Sequence, residues 1–311
     1  MKILKQITAF LLALVLFTAC NNDDDPTPDL QKPTIDNIEI GSGNNEQGII
    51  GRDFHLEMDV LAGNRIKNIQ VLIKQRAGET YAKDWSFEVT WEEFKGAKNT
   101  NVHKHFDISK DAPEGTYDFI IRVNDENGSV KEEIRSIKLI NPENLPINPE
   151  MYSLMVEKVD KGFLYILNVG YPDPNDKGYQ KGEKLNAYTD ISNVKGDGIM
   201  YTLLIKKNAN HLPETVKDID FSKAIVVDVR EHKNMTKVDY FTNYLPLEGQ
   251  MDHSPKELVI GAAVDNNLPA PNTIQGDKAW INGEYYFGVV YTNTTYNMSA
   301  HYYVDLNLTG F

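Results

Sequence analysis

Hydrophobic and polar residues alternate along much of this chain with a period of two, the pattern of strands that bury one face. The clearest run is Asp53 to Val60. Phe54, Leu56, Met58 and Val60 fall on one side, and Asp53, His55, Glu57 and Asp59 on the other. Ile35 to Ile40, Ile66 to Lys74, Trp85 to Trp91, Val102 to Ile108, Tyr117 to Val123 and Val130 to Ile140 also read as strands. Turn signals lie between them, including Gly41 to Asn45 and the Asn127-Gly128 step of a hairpin. Seven such strands within about a hundred residues predict an immunoglobulin-like β-sandwich. Tyr117 follows an Asp/Pro/Gly corner at the head of its strand, which predicts a tyrosine corner. The aromatic row Trp85, Phe87, Trp91 is expected in the core of that sandwich.

Asn141 to Pro149 holds three prolines in nine residues and reads as a linker. Beyond it, strands are predicted at Tyr152–Glu157, Phe163–Val169, Met200–Ile205, Ala224–Val229, Leu258–Val264, Tyr285–Tyr291 and His301–Leu308. Leu212 to Lys217 is expected to form one short helix, with Pro213 in its first turn. The fold class is therefore all-β: residues 33–140 an immunoglobulin-like sandwich, 141–149 a linker, and 150–311 a second β-rich unit, a sandwich or partly open barrel.

The start of the chain follows a different pattern. Lys2 and Lys5 precede an apolar run, Ile7 to Phe17, too short to span a bilayer. Thr18-Ala19-Cys20 closes it with small residues before the single cysteine of the chain. Residues 1–19 are expected to be a lipoprotein signal peptide, with Cys20 the lipid anchor and 20–32 an acidic, proline-containing tether. Asn21-Asn22-Asp23-Asp24-Asp25 resembles the surface-export signal of Bacteroidetes lipoproteins. The expected location is the outer membrane, lipid-anchored and facing outward. With Cys20 acylated, disulfides, thiolate metal sites and cysteine nucleophiles are excluded.

Cleavage before Cys20 removes two of 32 basic residues and none of 45 acidic ones, leaving 30 against 45, a net charge of −15. Such a surface repels phosphate backbones, so nucleic acid is not an expected partner. No Gly-X-Ser-X-Gly, phosphate-binding glycine loop or His-Glu-X-X-His occurs, and the chain is read as a non-enzyme.

Two strands each place ligand-type groups on a face away from the core: His55, Glu57 and Asp59 on one, His103, His105 and Asp107 on the other. An immunoglobulin-like sandwich sets these strands side by side, with opposed side chains about 5 Å apart. Two histidines two residues apart, facing a third across the ladder, converge on one point. Neutral imidazoles with a carboxylate suit zinc, copper, iron or nickel. The expected ligands are His55, His103, His105 and Glu57, with Asp59 or Asp107 as the second choice of carboxylate and zinc or copper as the ion. The alternative is a solvated polar face. Lys104 is the anomaly, since it shares the face of Phe106 and Ile108; it is explained by a place at the rim or by a bulge. His211, His232, His253 and His301 lack ligand spacing and are expected at the surface or in turns.

Pro33-Thr34-Ile35, Asp53-Phe54-His55-Leu56-Glu57, Val102 to Asp107 and Ala112 to Tyr117 resemble the Bacteroidetes lipoproteins grouped as domain-of-unknown-function family 4625. The resemblance covers the first unit only. It implies the location and the fold and assigns no activity. The function expected is a cell-surface lipoprotein with a transition-metal-binding first domain, accessory to an outer-membrane transporter. The alternative is a glycan- or protein-binding surface lipoprotein without a metal site.

Overall fold

The computed structural model describes residues 30–245 and 254–311. The leader, Cys20, most of the tether and His253 lie outside the described residues. Within them the fold is all-β. The N-terminal half contributes β1 (Thr34–Ile40), β2 (Gln47–Ile49), β3 (Asp53–Leu61), β4 (Ile66–Gln75), β5 (Ser86–Trp91), β6 (Asn99–Asp107), β7 (Gly115–Asp125) and β8 (Val130–Ile140). A three-stranded sheet, β1-β3-β6, packs on a five-stranded one, β2-β8-β7-β4-β5. β2 is the strand the alternation pattern misses, being three residues long.

The alternating faces carry this sandwich. Phe54, Leu56, Met58, Val60 and Val102 from one sheet meet Val71, Ile73, Phe119, Ile121 and Val123 from the other in a single buried cluster. Trp85, Phe87 and Trp91 pack against or within it, as their shared strand face predicts. Tyr117 is fully buried, and its hydroxyl donates to the carbonyl of Pro113 at 2.6 Å. That bond closes the tyrosine corner of an immunoglobulin-like sandwich.

The C-terminal half contributes β9 (Glu150–Lys158), β10 (Gly162–Ile166), β11 (Gly178–Gln180), β12 (Lys184–Lys206), β13 (Ala224–Thr242), β14 (Leu258–Val259), β15 (Gly283–Asn293) and β16 (Met298–Thr309). All eight belong to one sheet. β12 organises it: its first part pairs with β9, its last part with β15, and β13 runs along its other side. Between the two parts stand Gly196, at a positive φ of 74°, and Gly198. A Cβ at Gly198 would come within 2.4 Å of the His232 ring and 2.5 Å of the Tyr291 hydroxyl, so only glycine fits where β12 passes that pair.

The short helix expected at Leu212–Lys217 is instead an extended stretch followed by one 3₁₀ turn, Val216–Asp218. The stretch is tied down by tertiary bonds. The Tyr303 hydroxyl donates to the Pro213 carbonyl, and the Val216 amide donates to Thr292 Oγ1 at 3.0 Å. Those anchors are on β16 and β15, and they outweigh the weak helical preference of six residues. Among the described residues no helix is long and apolar enough to cross a membrane.

Candidate functional site

β3 and β6 pair antiparallel without a break in register, which sets His55 directly opposite His105 and Glu57 opposite His103. The bulge considered for Lys104 is absent. Its ammonium instead reaches the rim, 5.5 Å from the Phe94 ring centre and 6.0 Å from that of Trp91, and pairs with Glu93. His103 and His105, two residues apart on β6, therefore share one face with His55. The three ring centres stand 5.0, 5.2 and 5.3 Å apart.

This face is partly covered: the His103 and His105 side chains stay 44% and 35% exposed, and His55 is buried. The Leu212–Asp218 segment of the C-terminal half lies over it and delivers Glu214. One Glu214 oxygen, Oε1, is 2.8 Å from His105 Nε2 and 3.4 Å from His103 Nε2; the other, Oε2, is 3.1 Å from His55 Nδ1. His103 Nε2 and His105 Nε2 face each other at 3.2 Å. His55, His103, His105 and Glu214 each offer a ligand atom within 4.8 Å of the others, a group that could hold a metal ion. A tetrahedral zinc site with bonds near 2.05 Å needs donor atoms about 3.3 Å apart. The close contacts, 2.8 to 3.4 Å, lie near that spacing, within a group whose donors spread over as much as 4.8 Å.

Asp53, on β3, completes the arrangement. Its Oδ2 is 2.5 Å from His105 Nδ1. A proton held on Nδ1 for this bond leaves Nε2 of a neutral His105 as a lone pair, facing a carboxylate oxygen and a second imidazole. His55 is only 7% exposed, and neither of its ring nitrogens has a hydrogen-bond partner; Nδ1 is close to Glu214 but out of line. Buried polar atoms rarely lack partners, and acceptors aimed at one another repel unless a cation or proton sits among them.

The charges agree. Burial works to raise the Glu214 pKa, but close contacts to His103 and His55 and the charges of His55 and His301 bring it well below the ordinary carboxylate range. The hydrogen bond to Glu214 raises His103 against the opposing effect of burial. Two clefts flank the cluster. One, of about 320 Å³, is lined in part by Arg52, Asp53, Glu150 and His301; the other, of about 240 Å³, by Glu39, Glu57, His211 and Asp218.

Three of the four ligands expected from the sequence are brought together, and the fourth is not. Glu57 stands outside the group. Its carboxylate accepts from Asn101 Nδ2 at 3.1 Å and adds only a charge effect on His103. Asp59 is held by Asn37 and Asn101, which lower its pKa. Asp107 lies opposite Asp53 at the strand ends and is exposed. Sequence reasoning missed Glu214, because a lone glutamate in a proline-containing loop carries no spacing signal. Asp53 was on the correct face, two residues before His55, and alternation alone could have found it. His232 is another departure, buried within the C-terminal sheet rather than at the surface.

Comparison with curated proteins gives no match. Among solved structures, dimeric latent PorU from Porphyromonas gingivalis aligns with 93% of this chain and 21% of its own, at 12% identity and a TM-score of 0.31. The chain thus spans a small part of that protein. Residues 18–140 match the model of the family described as Domain of unknown function (DUF4625), and the N-terminal sandwich, with the three histidines it carries, belongs to that family.

Proposed function

We propose that the chain is a non-catalytic, surface-anchored lipoprotein that binds one transition-metal ion between its two halves. The observation that carries the metal reading is the convergence of four donors within 4.8 Å around the buried His55. Three imidazoles and one carboxylate suit zinc or copper. Asp53 would hold His105 in the tautomer that ligates through Nε2, the usual role of an outer carboxylate on a metal-bound histidine. The acidic surface, −15 after leader removal, favours cation capture over anion binding. The leader and Cys20 support an anchor in the outer membrane, where such a protein would hand its ion to a transporter.

The test is elemental analysis and zinc titration calorimetry on the full mature chain. One equivalent of saturable binding is expected. Its absence at neutral pH, for both zinc and copper, would end the metal reading. For the anchor, fatty-acid labelling is expected to be lost in Cys20→Ser, and persistent labelling refutes it.

A second reading rests on a separate observation. Tyr152 and Tyr240 are exposed with ring centres 4.8 Å apart, and Phe163, Tyr188 and Tyr244 form a chain of edge contacts at 6.2 and 5.5 Å. Aromatic side chains with polar tips serve well at binding surfaces. In that reading the C-terminal sheet takes a glycan or protein ligand and the histidines are incidental.

A further inference from the structure

The two halves of the molecule share little that would hold them together. Among the described residues each hydrophobic cluster draws on one half only. What crosses is polar. Arg52 bonds Asn148 at 2.6 Å and Glu150 at 2.5 Å, Asn45 Nδ2 donates to the Asn297 carbonyl at 3.4 Å, and Lys217 is 3.9 Å from Glu39. Exposed pairs of this kind contribute little each. Units joined by a short linker and a small polar contact move relative to each other unless something locks them.

The histidine cluster is placed to be that lock. His55, His103 and His105 come from the N-terminal sandwich, and Glu214 from the C-terminal half. Glu214 is not on a free loop. Its neighbours Pro213 and Val216 are bonded to Tyr303 on β16 and Thr292 on β15, so a bond to its carboxylate holds the central strands of the large sheet. The flanking clefts give an ion a way in on either side.

We propose that a zinc-type ion at this site staples the two halves together, so that metal occupancy sets whether they move as one body. The proposal rests on the metal reading above. A ligand set divided between two units couples binding to docking by mass action: an opening that releases the ion is suppressed by a factor of one plus the ratio of free ion to Kd. At free zinc ten times Kd, openings that separate Glu214 from the histidines become rarer by up to about tenfold, the full factor applying where the three imidazoles alone hold zinc much more weakly.

The test is backbone hydrogen exchange on the full mature chain, with and without zinc, with binding followed separately by calorimetry. Zinc is expected to slow exchange at least several-fold both in β3 and β6 and in 212–218. In Glu214→Gln, zinc is expected still to bind through the imidazoles, more weakly, and to protect β3 and β6 without protecting 212–218. Binding that protects only the histidine strands of the unmutated chain overturns the staple and leaves the metal site standing. Absence of zinc binding overturns both. The unmutated chain decides the matter even where the variant fails to fold.

Discussion

Two buried histidines of this protein have opposite surroundings. His232, in the C-terminal sheet, is 2% exposed and fully satisfied: Nδ1 meets the Gly196 carbonyl at 3.0 Å and Nε2 meets the Tyr291 hydroxyl at 2.8 Å. His55, between the two halves, is nearly as buried, and neither nitrogen has a hydrogen-bond partner. Burial lowers the His232 pKa and keeps it neutral, so it acts as a fixed bridge between strands. Around His55 stand two more imidazoles and a carboxylate, donor types that suit a cation. Burial by itself therefore says little about a histidine. The balance of donors and acceptors around it separates a structural bridge from a binding site.

That contrast is sharpest under truncation. In His105→Ala, zinc affinity in the full chain is expected to fall by more than about 100-fold, because loss of a direct nitrogen should exceed the usual effect of removing an outer partner. Calorimetry on both proteins measures it, and an unchanged Kd would mean the cluster is not the binding site. His232→Ala should leave zinc affinity alone and cost stability, about 2–4 kcal/mol, from the cavity and the two partners left unpaired. A denaturant melt with m unchanged and a lower midpoint is the expected record. A loss of zinc binding there would erase the distinction drawn between the two histidines.

Tyr117→Phe probes a satisfied buried group in the N-terminal sandwich. It leaves the Pro113 carbonyl without its partner, an expected cost of about 1–3 kcal/mol in the same melt. A midpoint that does not move would show that the corner bond contributes nothing net.

Acidification provides a graded version of the first comparison. Protons and metal compete for the same nitrogens, and the His103 pKa is raised because its bond to Glu214 outweighs burial. Zinc affinity should therefore weaken as pH falls through the histidine range near about 6.5, with the loss starting above that value. Titrations between about pH 8 and pH 5 follow it. Affinity that rises on acidification would contradict imidazole ligation. The smallest effect is expected from Glu57→Gln, within about threefold, since Glu57 reaches the cluster only through its charge, which is screened near solvent. A loss as large as that of His105→Ala would return Glu57 to the coordination sphere.

The N-terminal sandwich was legible because each of its longer strands buries one face and wets the other. Phe54, Leu56, Met58 and Val60 announce both the strand and its inward side, and the His55–His105 opposition follows once β3 and β6 pair in register. The C-terminal half was less legible for a stated physical reason. The last part of β12 is buried on both faces and loses its alternation, while its first part, including Ser192, Asn193 and Asp197, is polar enough to read as a loop. Only its pairing with β9 and β13 reveals it as a strand.

The features legible in the residue order are local. Alternation set the strands, the Asp/Pro/Gly step set the corner at Tyr117, and the two-residue spacing put His103 and His105 on one face. The group that approaches that face is set by folding over long range. Glu214 reaches the histidines from a loop that Tyr303 and Thr292, far along the chain, fix on the C-terminal sheet. No periodicity records such a contact, since side-chain alternation is fixed within a strand, whereas the approach of one unit to another is fixed by bonds between residues distant in sequence. For that reason the three clustered histidines were readable from the chain, and the carboxylate opposite them was not.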